Sequence, residues 1–380
     1  MNVFEQLGLK DVINACGRMT LLGTSICTEE VSTSVKDALE HYVVLEDLMS
    51  CTGDAIAEAT GSEAGCPAAS AAAGIVLSVA ACITGCDRAL IDALPDSEGL
   101  KNEVIIQKGH VINFGASINQ MIRMAGGVPV EAGTVNKTHS YHIQSSINHR
   151  TAALMYTQSH HSVQKGMLPL EELIKIGRKY NVPVLVDAAA EEDLCRFTAL
   201  GADLVVYSGA KALCGPTSGF ICGRESLIKA CAMQYEGIGR AMKVSKEAMA
   251  GLITALRSYD MSDTKADRQK TLAGGICEAL DGIQGLSCSV VKDETGREIY
   301  RAQLRVDESL TGISASELFN QLCAGDPAIV LRPHSANLGI LYADMRPLLD
   351  GQQEIIATRI RALLTKEEED EQADDTDSPE

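Results

Sequence analysis

Five short runs between residues 104 and 222 are apolar at every position: Val104-Ile105-Ile106, Ala152–Tyr156, Val184-Leu185-Val186, Leu204–Tyr207 and Phe220-Ile221-Cys222. A strand with no polar face has no side to offer to water. It belongs in a parallel sheet that helices cover on both faces. Between the second and third runs, LPLEELIKIGRKYN sets Leu170, Leu173, Ile174 and Gly177 at helical spacing. The pattern predicts an α/β fold, a large domain built on a mainly parallel sheet. The runs end in polar or small residues: Gln107-Lys108-Gly109-His110, Gln158-Ser159-His160-His161, Asp187, and Ser208-Gly209-Ala210-Lys211. Open α/β sheets bind ligands beyond the carboxyl ends of their strands, so these residues gather where a site is expected.

The rest of the chain divides around this region. Residues 1–54 read as an N-terminal segment, 55–255 as the large domain, and 256–366 as a smaller α+β domain. In the last of these, Arg301–Val306 and Ala328–Arg332 read as strands about the helix SASELFNQLC, before a final helix QQEIIATRIRALL. Residues 367–380 read as a disordered acidic tail, since KEEEDEQADDTDSPE holds nine acids and one lysine. With 33 Lys+Arg against 51 Asp+Glu the net charge is −18, which argues against a nucleic-acid partner. The 13 cysteines are scattered, odd in number and free of any C-x-x-C pair. With no signal peptide at the start, this predicts a reduced, cytoplasmic protein without a disulfide framework or zinc site. The uncharged stretch between Glu63 and Asp87 is long enough to cross a membrane. Its Ala, Gly, Ser and Cys content and its lack of anchoring flanks instead predict a helix buried in a soluble domain, beginning at Pro67.

Asp187 and Lys211 end neighbouring runs and, on adjacent strands, would share one rim. Such a pair suits pyridoxal 5'-phosphate: the lysine forms a Schiff base with its aldehyde, and the carboxylate keeps the pyridine nitrogen protonated. A helix cap and a solvated lysine are the alternative. Ser70, Ala71 and Ala72 at the start of the uncharged helix are small enough to let backbone N–H groups approach a phosphate, where the helix dipole favours an anion. Close packing of an Ala-rich helix explains the same residues. Ser208, three residues before Lys211, could reach the same phosphate.

The run GADLVVYSGAKALCGPTSGFICGR resembles the lysine segment of fold-type I pyridoxal-phosphate enzymes of the selenocysteine synthase group. VINACGR, ATGSEAGCPAASAAAGIVL, AGGVPVEAGTVNKTH and GRAMKVSKEAMAGLITALR agree in order. The spellings DAAAEED and SGAKALCGPTSG are most similar to the branch of D-glucosaminate-6-phosphate ammonia-lyases. The resemblance implies a transferase-like fold, pyridoxal phosphate, and at least a homodimer. It also implies elimination of water and then ammonia from a small phosphorylated amino acid, giving a 2-keto-3-deoxy acid phosphate. Lys211 would be the Schiff-base lysine and Asp187 the partner of the ring nitrogen. His110 would cover the ring, with a satisfied loop histidine as the alternative. Arg240 and Lys243 would bind phosphate or substrate across a subunit boundary, or be solvated cations. Arg332 would hold the substrate carboxylate, with structural ion pairing as the alternative. Arg18, His160 and His161 are further substrate candidates. Adjacent histidines at a strand end point opposite ways, which argues against a shared metal. Ala210 stands where selenium-transferring members carry an acid, and no tRNA-type extra domain precedes the motifs, so no tRNA substrate is expected. Group transfer to a seryl adduct and a catalytically silent scaffold are the competing functions.

Overall fold

The computed structural model describes residues 2–261, 265–293 and 297–365. The tail expected at 367–380 lies outside the described residues. In chain order the strands are β1 (Val12–Asn14), β2 (Ala64–Ala68), β3 (Glu103–Gln107), β4 (Val128–Ala132), β5 (Thr151–Thr157), β6 (Val184–Asp187), β7 (Leu204–Ser208), β8 (Gly219–Gly223), β9 (Leu286–Lys292), β10 (Tyr300–Val306), β11 (Ala328–Val330), β12 (Arg332–Ser335) and β13 (Ile340–Asp344).

The chain divides into two compact units, Thr24–Met261 and Met1–Gly23 with Ser262–Glu380. These divisions, after residues 23 and 261, differ from those read from sequence after 54 and 255. The first 23 residues join the C-terminal part because β1 pairs in parallel with β11, a contact spanning more than three hundred residues.

The larger unit holds a seven-stranded sheet in the order β2-β8-β7-β6-β5-β3-β4. From β7 through β4 its pairings are parallel, while β8 runs antiparallel to both β7 and β2. Two strands escaped the sequence reading. β4 (VPVEA) is an edge strand that is mostly not buried, so its apolar signal is weak. β2 (AGCPA) lies inside the uncharged stretch that reads as one helix. The helix starts instead at Ala71 and runs to Thr84, because Pro67 and the extended Ser70 (φ −166°) belong to the strand and its exit. Among the described residues no helix is long and apolar enough to cross a membrane.

Strand side chains alternate between faces. Val104, Ile106, Met155, Leu185, Leu204, Val206 and Ile221 pack with the Ala71–Thr84 helix, while Ile105, Leu154, Val184, Val186, Val205 and Phe220 pack with the Leu170–Tyr180 helix on the opposite face. Gly74 sets the helix directly on the sheet, since a Cβ there would lie 2.8 Å from Val206 Cγ1.

The smaller unit has a four-stranded antiparallel sheet, β12-β13-β10-β9, covered by the Ala266–Ala279, Ala315–Ala324 and Gln352–Leu364 helices around Ile276, Leu304, Leu318, Leu341 and Ile356. The strand expected at Ala328–Arg332 is split. Its first three residues pair with β1, and Arg332 opens β12, which pairs with β13.

Candidate active site

Three polar residues end the strand faces that carry the Ala71–Thr84 helix. Thr157 follows Met155 by two positions, Asp187 follows Leu185, and Ser208 follows Val206, so all three continue the helix-side alternation. Thr157 is the register partner of Asp187, and Ala68, Gly219 and Ser208 line up across β2, β8 and β7. The carboxyl ends of β2, β5, β6 and β7 therefore meet on one rim of one face.

Asp187 is buried, and its Oδ1 accepts the backbone N–H of Ala189 at 3.1 Å. Burial drives its carboxyl above the ordinary value of 3.8, while the Ala189 bond and the Lys211 charge pull the other way. Lys211 is half-buried. Burial pushes its ammonium below the usual lysine range and Asp187 raises it. Each group feels the other's charge, so the two side chains share one environment. The two strand exits are each pinned: after β6 the Ala188 N–H bonds Val206 O at 2.9 Å, and after β7 Ala210 O accepts from Ser25 Oγ at 2.6 Å.

The helix that starts at this rim is capped by Ser70, whose Oγ accepts the Ala73 N–H at 3.1 Å. A hydroxyl that accepts inward still has its own proton to donate outward. The Ala71 and Ala72 N–H groups are first-turn donors without helical partners. Such a start, at the positive end of a 14-residue helix, suits an anion. Gly219 makes room for it, since a Cβ there would lie 2.3 Å from Ser70 C and 2.5 Å from Ala71 N. Gly219→Ala should weaken cofactor binding on the order of tenfold or more by displacing the helix start. Fluorescence titration of the cofactor-free protein checks this; an unchanged dissociation constant would contradict it.

The turn after Lys211 closes through Cys214, whose N–H bonds Lys211 O at 3.3 Å and whose φ is +52°. That left-handed conformation suits glycine better than a residue with a Cβ. Cys214→Gly should therefore stabilise the protein by about 0.5–1 kcal/mol, read as a raised melting temperature. A lowered one would contradict it.

His110 is fully buried behind the rim. Its Nδ1 accepts the Thr157 N–H at 3.2 Å, and Tyr156 meets its ring edge-on at 4.5 Å. Burial lowers its pKa to about 4, so at neutral pH the ring is uncharged and carries its hydrogen on Nε2. His160 and His161 lie in the turn after β5, and their rings stand 3.9 Å apart at 41°. This corrects the expectation that they point opposite ways, which holds only for residues within a strand. Among the described residues no group of three or more His, Cys, Asp or Glu could hold a metal ion. Arg240 and Lys243 are exposed, Arg240 on the 3-10 turn Ile238–Met242 and Lys243 just after it.

Arg332 and Arg18 belong to the smaller unit. Arg332 Nη1 lies 3.7 Å from Asp344 Oδ2 and 3.5 Å from Cys16 O. Asp344 is fully buried and also pairs with Arg301 and Arg346 at 3.0 and 2.9 Å. Burial alone would raise its pKa, but Arg346, Arg301 and Arg332 hold the carboxyl well below its ordinary range. Gly17, next to half-buried Arg18, backs onto this cluster: a Cβ there would lie 3.4 Å from Arg332 Nη1. Arg332 thus has the structural ion pair, and it is the loosest of the three that Asp344 makes.

Thr157 was not singled out by the sequence. The only signal available was the continuation of the alternating face of β5 by one polar position.

A buried carboxyl with one backbone donor retains an acceptor site suited to a protonated ring nitrogen. A nearby half-buried amine suits an aldehyde, and a capped helix start suits a phosphate. This sheet order, with these groups on one rim, defines a fold-type I pyridoxal-phosphate enzyme. The chain belongs to the family described as L-seryl-tRNA selenium transferase (SelA), which matches residues 12–318, and pyridoxal 5'-phosphate is its cofactor. It is 42% identical over 362 residues to a D-glucosaminate-6-phosphate ammonia lyase of Salmonella typhimurium, covering 95% of this chain and 98% of the relative. It is 44% identical over 365 residues to a 5'-C-glycyluridine monooxygenase-decarboxylase of a Streptomyces species, covering 95% and 92%. A solved D-glucosaminate-6-phosphate ammonia-lyase structure superimposes with a TM-score of 0.89 at 42% identity, covering 96% of this chain and 99% of that one.

Proposed function

We propose that the chain is a carbon–nitrogen lyase that converts D-glucosaminate 6-phosphate, or a similar amino-sugar acid phosphate, to a 2-keto-3-deoxy acid phosphate and ammonia. The observation that carries the chemistry is the buried Asp187 beside the half-buried Lys211 on one rim. The substrate class rests on the ammonia-lyase relative and its structure.

Bound pyridoxal phosphate supplies an electron sink that stabilises negative charge at C2 of an attached amino acid. Asp187 keeps the ring nitrogen protonated, and the low-dielectric surroundings strengthen that contact. The Ala71 and Ala72 N–H groups, with the Ser70 and Ser208 hydroxyls, hold the phosphate. His110, neutral and fully buried, supports the rim from behind through the Thr157 N–H. Lys211 would hold the aldehyde through Nζ, and the same Nζ is the group that would accept the C2 proton. Its lowered pKa favours the free amine this requires. Loss of the C3 hydroxyl as water and hydrolysis of the resulting imine then release the keto acid and ammonia. His160 and His161, in the turn after β5, are assigned to the substrate. Arg240 and Lys243, exposed in the single chain, serve a neighbouring subunit's substrate in a cytoplasmic homodimer or larger homo-oligomer.

The monooxygenase-decarboxylase relative supports a second reading, an oxygen-dependent decarboxylation of an amino acid. Purified enzyme with D-glucosaminate 6-phosphate should release ammonia and keto acid in equal amounts without taking up oxygen. Oxygen uptake with carbon dioxide release from a glycyl nucleoside, and no ammonia from the sugar acid, would favour the second reading.

A further inference from the structure

In the smaller unit the Ala266–Ala279 helix packs on β9 and β10, with Cα atoms coming within 8 Å of theirs. Ala273 and Ile276, with Leu280 just beyond the helix end, are buried in the core of that unit. Cys277 stands four residues after Ala273, so it shares the helix face turned to the sheet. Cys288 lies on the edge strand β9 as the register partner of fully buried Leu304, so its side chain enters the same core. Both cysteines are free, pack against the rim of that core and are partly open to solvent. Helix and edge strand thus bring two thiols together, and the thiols are hydrogen-bonded to each other.

The two are not equivalent. The bond from Cys288 holds the Cys277 thiol below its ordinary value of 9.0, against burial and the Glu278 carboxylate. Donating that bond, together with burial, pushes the Cys288 thiol well up. Thiolate is the reactive form of cysteine, so Cys277 reacts first and Cys288, already in contact, reacts second. An accessible thiol of lowered pKa beside a resolving thiol is the arrangement that oxidises reversibly.

We propose that Cys277 and Cys288 form a reversible oxidation site, in which a peroxide joins them in a disulfide that staples the Ala266–Ala279 helix to β9. The Cys277 thiolate attacks one oxygen of hydrogen peroxide. The O–O bond breaks, the departing oxygen takes up the proton that Cys277 gave off and leaves as water, and Cys277 becomes a sulfenic acid. The Cys288 sulfur then attacks that of Cys277. The S–O bond breaks, and the hydroxyl leaves with the Cys288 proton as a second water. The pair has given two electrons and two protons to the peroxide, and a dithiol returns them. A transient disulfide of this kind is compatible with the reduced state expected from the scattered cysteines. The site uses none of the residues assigned to cofactor or substrate.

The test is peroxide treatment of the full-length, cofactor-loaded protein, followed by alkylation, proteolysis without reductant and mass mapping. Wild type should yield a linked Cys277–Cys288 peptide that dithiothreitol separates. Cys288→Ser should instead carry a sulfenic acid on Cys277 that dimedone traps, and Cys277→Ser should give neither product. Before oxidation, Cys277 should be alkylated at neutral pH about tenfold faster than Cys288, or more. Closing the link should raise the melting temperature by about 3–6 °C, an increase reversed by dithiothreitol and absent from Cys277→Ser. Should Cys277→Ser not fold, Cys277→Ala takes its place, and the wild-type map is decisive by itself. A linked peptide that forms only in denaturant, linkage of either residue to a different cysteine, or passage of Cys277 to sulfinic acid in the folded wild type overturns the proposal.

Discussion

Replacing Lys211 by alanine is expected to abolish turnover, with kcat falling by about 10^4- to 10^6-fold, the scale on which enzymes respond to loss of their covalent nucleophile. On the proposed function one nitrogen does two tasks, holding the aldehyde and taking a proton, so no neighbouring group inherits either role. Lys211→Arg should fail as completely. It keeps the cation, but a guanidinium neither forms the linkage nor gives up a proton near neutral pH. The alanine variant should not lose stability, because burial already penalises the Lys211 charge. Steady-state kinetics, the visible spectrum and a thermal melt check the three parts. An alanine variant that turns over within tenfold of wild type would return the scaffold reading, in which the fold serves assembly without chemistry.

Asp187→Asn should give the second largest loss. Removing one partner from a buried charge pair costs about 3–5 kcal/mol, equivalent to roughly 10^2- to 10^4-fold in rate. The loss should appear in kcat and in cofactor affinity, since the amide cannot hold a proton on the ring nitrogen. The cofactor-free proteins should differ in the opposite sense. Burial raises the Asp187 pKa above its ordinary 3.8, so the folded chain keeps a proton that the unfolded chain releases. Stability from this group is present at low pH and is lost as pH rises through the raised value. Cofactor-free Asp187→Asn lacks that loss, and its melting temperature should fall less between acid and neutral pH than that of wild type. Parallel melting curves would contradict the assignment of a strained, buried carboxyl.

The chemistry of the site was legible because it sits where local patterns end. Fully apolar runs predicted β3 and β5 through β8, and the polar residue closing each run pointed to Asp187, Ser208 and Lys211. The helix start at the rim was legible in composition but displaced in detail. Uncharged small residues read as one helix from Pro67, whereas Pro67 and Ser70 take extended backbone and give β2 its place beside β8. That pairing joins residues more than 150 apart, and nothing local announces it. The same limit hid β1, whose partner β11 lies in the C-terminal part of the chain. Arg332 was legible as a candidate, but its company was not. Asp344 and Arg301 reach it through antiparallel pairings of β12, β13 and β10. Thr157 went unnoticed because a threonine after a β-branched or apolar run reads as more strand. Only its register beside Asp187 marks it.

The central claim is a covalent link between pyridoxal phosphate and one lysine at the carboxyl rim of the sheet. Borohydride reduction of the loaded enzyme, followed by proteolysis and mass mapping, tests it most directly. The account predicts loss of the visible band and a pyridoxyl mass on the peptide bearing Lys211, absent from Lys211→Ala. A colourless enzyme that takes up no cofactor, or a reduced adduct on any other lysine, would contradict it.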